Sequence, residues 1–174
     1  MLKTTKTSAV HAMYFFFRAR EFFSAAEELF ASENRAQAPH EWINPIYFGY
    51  SHAVELALKA FLRSHNPKVE FGHKLTELYK ECRALGLAIG PDDRTEIGNI
   101  VALLDPVNEE SGFRYFMGSG ALPDLAWTRE VVGRLIEAVE PHVMRAEANQ
   151  PSGLGKVVGI RMIIGKPTSR DPGV

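Results

Sequence analysis

The segment from Pro45 to Ser64 constrains this chain most, because it is apolar almost all the way round. Ile46, Tyr47, Phe48, Tyr50, Ala53, Val54, Leu56, Ala57, Leu58, Ala60, Phe61 and Leu62 leave no wide polar face for solvent. A helix of that kind is stable only in the middle of a bundle, with other helices packed around it. Asn44 predicts its N-cap and Pro45 its first helical position. Asn66-Pro67 predicts its end, since the residue before a proline avoids the helical region. The few polar residues are gathered: at about 100° per residue, His52, Glu55, Lys59 and Arg63 fall within roughly 80° of one another.

The remaining pattern supplies the partners. From Ala9 to Phe30, Ala12, Phe15/Phe16, Ala19, Phe22/Phe23, Ala26 and Leu29/Phe30 recur at helical spacing. Alternating Ala with Phe predicts close packing, large against small. After Gly72, the residues Leu75, Leu78, Tyr79, Cys82 and Leu85 predict the inner face of a third helix, with Gly86 as its stop. A fourth opens at Pro91-Asp92-Asp93, carries Ile97, Ile100, Val101 and Leu104, and is expected to end at Pro106. The last helix starts behind Asp124 as cap and runs through Trp127, Val131, Leu135, Ala138 and Val139 to about Ala148, with Pro141 expected to kink or interrupt it. The fold class is thus all-α, an antiparallel helical bundle of about five helices over residues 1–150. Residues 151–174 read as a linker and flexible tail. Within that tail Lys156 to Gly165 reads as one β-strand, pairing with its copy in a second subunit or packing on the bundle.

Charge and cysteine narrow the function classes. With 20 basic residues against 21 acidic, the chain has no general attraction to nucleic acid or anionic membrane, so such binding needs a local patch. The single cysteine, Cys82, excludes a disulfide framework and a Cys-rich zinc site, and its place on an apolar helix face predicts buried filler. Met1 to Ala9 is basic without an apolar run or cleavage site, and no stretch approaches the roughly 20 apolar residues of a membrane span. A cytoplasmic location is expected.

No phosphate-binding glycine loop, nucleophile elbow or HExxH motif is present, and no two histidines stand three or four apart on a helix. No metal and no cofactor are expected. The stripe on the second helix is the first candidate site: Glu55 and Lys59 stand at i, i+4 in the favourable order, with His52 one turn earlier. It is a solvated seam, a structural ion pair or the lining of a groove between helices. His73, at the next helix start, and Arg114 beside Tyr115, in an aromatic connection, are the residues expected to join it. The second candidate is Arg35 with His40, a cation and an acid/base group five positions apart in a proline-containing connection.

The run Tyr50-Ser51-His52-Ala53-Val54-Glu55-Leu56-Ala57-Leu58-Lys59-Ala60-Phe61-Leu62, then Phe71-Gly72-His73-Lys74-Leu75-Thr76-Glu77-Leu78, resembles the HEPN domain, and so does Phe113 to Tyr115. In that family a helical bundle carries a central helix with a Glu-x-x-x-Lys core and a following Gly-His-x-Leu helix start. The likeness covers roughly Ala9 to Ala148. It implies a homodimer whose relatives act as metal-independent ribonucleases, as toxins of toxin–antitoxin systems, or as nucleotide-binding partners of minimal nucleotidyltransferases. Ribonuclease members carry an Arg followed about four to six residues later by His on a late helix. Here Arg129, Arg134 and His142 lack that spacing, and only Arg35 to His40 has it. The expectation is therefore a dimeric domain that binds a nucleotide, RNA or a protein partner through His52, Glu55, Lys59, His73, Arg114 and Tyr115. In it Lys59 and Arg114 would contact anionic oxygens while Glu55 orients them. The alternatives are a metal-independent ribonuclease using Arg35, His40 or His73, and a structural or antitoxin-like interaction module.

Overall fold

The structure, a computed structural model, describes residues 11–33, 42–109 and 122–149. Among these it contains five helices: α1 (Ala12–Glu33), α2 (Ile43–His65), α3 (Leu75–Ala84), α4 (Pro91–Glu109) and α5 (Leu125–Ala148). The expected strand at 156–165, the tail from residue 151 and the candidates Arg35, His40, Arg114 and Tyr115 lie outside the described residues.

As its composition requires, α2 is the hub. Tyr50, Phe61, Leu58, Ile46 and Val54 are fully buried. α1 packs on α2 and α5, α3 on α2 and α4, and α4 on α2 and α5, whereas α1 and α3 do not touch. The ring of helices around α2 is therefore open between α1 and α3. Ala12, Phe16, Ala19 and Ala26 are the buried positions of α1, which accounts for the alternation of small and large residues along it. At the closest approach Gly49 faces Ala26: a Cβ on Gly49 would meet the Ala26 Cβ at 2.9 Å and the Phe22 carbonyl oxygen at 3.3 Å. Gly49→Ala gains about 1 kcal/mol of helix propensity and loses about 2 kcal/mol by prising α1 from α2. Urea denaturation is expected to show a net loss of about 1 kcal/mol, and a stabilised variant would refute so tight a contact.

Helix ends show where local signals decide and where they do not. Asp124 caps α5 as expected, its carboxylate accepting the Trp127 N–H at 2.8 Å. Asn66 is extended, with φ −138° and ψ 105°, so α2 stops before Pro67. Gly86 has φ +83°. Its N–H donates to the Arg83 carbonyl (3.1 Å), and that of Leu87 to the Cys82 carbonyl (3.0 Å), the paired bonds of a Schellman turn. That turn corrects one expectation: Leu85 is 49% exposed, and Leu87 folds back into the core in its place. Cys82 is buried as expected, with burial pushing its thiol pKa well up.

Two other boundaries differ from the expected ones, and one proline expected to interrupt a helix does not. α2 begins at Ile43 rather than Pro45, and Asn44 is not its cap. The Trp42 N–H donates instead to Glu33 of α1 at 3.1 Å, a partner nine residues upstream. α4 continues through Pro106 to Glu109. Its last turn is held from outside by hydrogen bonds of Asp105 and Asn108 to the start of α3, which offset the bond the proline lacks. α5 likewise runs on past Pro141. Pro141 is exposed while Val139 and Val143 are buried on the opposite side, so water can solvate the carbonyl left without its donor.

Candidate functional site

The stripe on α2 lies in the opening between α1 and α3. His52 is in edge contact with Phe22 of α1, with ring centroids 4.4 Å apart, and Glu55 reaches His73 just before α3. Glu55 is the centre of the group. Lys59 Nζ donates to its Oε1 at 2.6 Å, His73 Nδ1 lies 2.9 Å from the same oxygen, and His52 Nδ1 lies 3.7 Å from Oε2. Glu55 and Lys59 are only 5% and 6% exposed, whereas the His73 side chain is 82% exposed. Thus a buried ion pair ends at the surface in a histidine.

Hydrogen-bonding capacity determines how that histidine is held. A carboxylate only accepts and an ammonium only donates. Nδ1 of His73 must therefore carry the hydrogen directed at Glu55, and its 3.5 Å approach to Lys59 is no hydrogen bond. Nε2 is the ring atom left to solvent. Burial pushes the Glu55 carboxyl pKa up, but His52, Lys59 and His73 overcome this and hold it at about 2. At 3.7 Å the His52 contact is electrostatic rather than a hydrogen bond, so the closer Lys59 and His73 account for most of the depression.

The backbone around His73 is fixed by α4. Asp105, 4% exposed, accepts the Leu75 N–H at 2.6 Å and the Thr76 N–H at 3.2 Å, and also the Thr76 hydroxyl. Asn108 donates to the His73 carbonyl at 3.2 Å and accepts from the Ser51 hydroxyl at 3.0 Å. Neither Asp105 nor Asn108 was legible as a site residue. Each reads locally as an ordinary polar residue next to or near Pro106, and its partners lie 29 or more positions away.

Aromatic rings flank the charged centre along α2. Towards its start, Phe48 stacks on His52 with centroids 5.8 Å apart and planes 10° from parallel. Towards its end, Arg63 lies over the Phe71 ring at 4.7 Å and the Phe15 ring at 5.8 Å, and Lys59 lies 5.8 Å from the Phe71 centroid. From Phe48 to Arg63 the helix rises about 22 Å. The structure thus brings together His52, Glu55, Lys59 and His73. To these it adds Phe15 and Phe48, which the pattern marked only as apolar positions, and Phe71, which it did not single out.

Among the described residues no group of three or more His, Cys, Asp or Glu is placed to hold a metal ion. His65 and His142 meet across Phe61, away from the stripe residues. No helix among the described residues is long and apolar enough to cross a membrane. A family model described as HEPN domain matches residues 12–145. No curated protein and no solved structure matches the chain.

Proposed function

Because the chain belongs to the HEPN domain family, we propose that it binds RNA through the opening between α1 and α3, as a cytoplasmic homodimer. The observation that carries this reading is a charged centre of Glu55, Lys59 and His73 bracketed on α2 by Phe48/His52 and by Phe71/Arg63. A cation beside partly exposed rings is what single-stranded nucleic acid uses: Arg63 meets phosphate, and the rings stack on bases without demanding a sequence. Phe71 is half-buried and His73 exposed, so both are within reach of a ligand. Lys59 is too deep to meet phosphate first and acts by holding Glu55, which in turn aims His73 outward. Arg114 and Tyr115 are proposed to complete the site from the connection before α5. A nucleotidyltransferase or an antitoxin remains the kind of protein partner that the family resemblance implies.

The test is binding of a fluorescent single-stranded RNA of about ten nucleotides to the purified chain, followed by anisotropy. Phe71→Ala and His73→Ala are each expected to weaken the complex about tenfold, measured at a temperature where the melting curve shows each variant folded. Wild-type affinity in both variants would mean that the stripe is a structural ion-pair network and nothing more.

A second reading, a metal-independent ribonuclease, has one observation in its favour. Glu55 fixes the tautomer of His73 and leaves Nε2 at the surface, an arrangement suited to passing a proton to or from a ribose hydroxyl. RNA left intact by stoichiometric wild-type protein would dismiss it while leaving the binding proposal standing.

A further inference from the structure

A second concavity, of about 550 Å³, lies where α3 hands over to α4, and two arginines line it. Arg83 is in the last turn of α3 and Arg94 in the first turns of α4, both exposed. α3 is ten residues long, so this end lies about 15 Å along its axis from the end that carries His73. The concavity therefore lies apart from the α2 stripe.

The electrostatics here are unbalanced. A cation near a helix C-terminus, as at Arg83, is favoured by the aligned peptide dipoles, but one near an N-terminus, as at Arg94, is not. Other arginines are met by carboxylates: Arg129 pairs with Glu27 at 2.6 Å, and Arg134 with Asp93, Glu96 and Glu130. Neither Arg83 nor Arg94 pairs with any carboxylate among the described residues. Asp93, the acid next to Arg94, is engaged by Arg134 at 3.3 Å. Asp92 stays exposed, where water and salt screen its repulsion.

The lining is also ordered and rich in donors. Arg83 lies over the Tyr79 ring at 6.0 Å, and the Tyr79 hydroxyl donates to the Arg94 carbonyl at 3.0 Å, so one side chain ties the two arginine positions together. Between them the Schellman turn at Gly86 sends Leu87 into the core. The amides of Ala88, Ile89 and Gly90, all lining residues, make no backbone hydrogen bond to another described residue.

The geometry points to a phosphate-binding site at Arg83 and Arg94, apart from the α2 stripe, that takes the phosphoryl group of a small phosphorylated ligand. Planar guanidinium groups bind phosphate oxygens in pairs, and adjacent free amides add neutral donors. The volume falls within the range of small-molecule pockets and has room for more than the phosphate itself.

Titration of the ¹⁵N-labelled full chain with inorganic phosphate, and separately with AMP, tests this. Saturable shifts are expected at the amides of Ala88, Ile89 and Gly90, with AMP binding tighter than phosphate if the ligand is a nucleotide and equally if only the phosphoryl group is read. Arg83→Gln is expected to weaken binding about tenfold and the double variant with Arg94→Gln about a hundredfold, while His73→Ala leaves it unchanged. Both arginines are exposed, so the variants should fold, and an unaltered melting curve checks that. Absence of saturation at those three amides, or shifts that survive loss of both arginines, would overturn the site.

Discussion

Lys59→Met is expected to lower the unfolding free energy by about 3 kcal/mol in urea denaturation at neutral pH. The substitution leaves the Glu55 carboxylate inside the bundle without the ammonium 2.6 Å away. His73 and His52 remain near it and keep the cost at the lower end of what such losses bring. Replacing both partners, Glu55→Leu with Lys59→Met, is expected to restore wild-type stability or exceed it, because two desolvated charges vanish together. A single variant no worse than the double one would show that the pair is not coupled. The same carboxylate makes stability pH-dependent. Its folded pKa of about 2 lies below the ordinary value of 4.5, so its contribution is complete above about pH 4.5 and is lost as the pH falls towards 2. The stability difference between wild type and Glu55→Gln should therefore shrink by about 3 kcal/mol over that interval. A difference that stays level with pH would contradict the buried pair.

Asp105→Ala is expected to cost about 2 kcal/mol and to loosen the site without touching it. The variant strips the start of α3 of the carboxylate that accepts from Leu75 and Thr76, and those donors are buried or half-buried. Hydrogen exchange at the Leu75 and Thr76 amides should accelerate, and RNA affinity should fall with it, because His73 is the second residue before Leu75 in the chain. Asp105→Asn, which can still accept one bond, should recover part of the loss. A destabilisation below about 0.5 kcal/mol, with unchanged exchange, would mean that α3 needs no support from α4.

These two residues mark how far the sequence could be read. Glu55 and Lys59 were legible because both partners sit on one helix, where a separation of four residues sets their distance. Their burial was not legible, because a polar stripe on such a helix can equally face solvent. Asp105 was illegible because a cap supplied across a bundle has no local spacing. The misplaced start of α2 has the same cause: the chain entering it is pinned by the Trp42 N–H to Glu33 of α1, and no Asn44 side-chain cap forms. Pro106 was read as a helix end, and Pro141 as a kink or interruption, because the local penalty is real. Both helices continue because tertiary bonds and packing outweigh one missing hydrogen bond.

By itself, the sequence determined the helical class, the central position of α2, the stripe of His52, Glu55, Lys59 and Arg63, and the terminal signals at Asn66, Gly86 and Asp124. Each of these follows from the helical period or from one residue's own backbone preference. Only the tertiary structure decided that the stripe falls between α1 and α3, with Glu55 and Lys59 buried and His73 exposed beside them, and that Phe15, Phe48 and Phe71 frame it. It also decided that α4 holds His73 in place and that Arg83 and Arg94 share a cavity. Those relations join residues distant in the chain, and their distances depend on how whole helices pack.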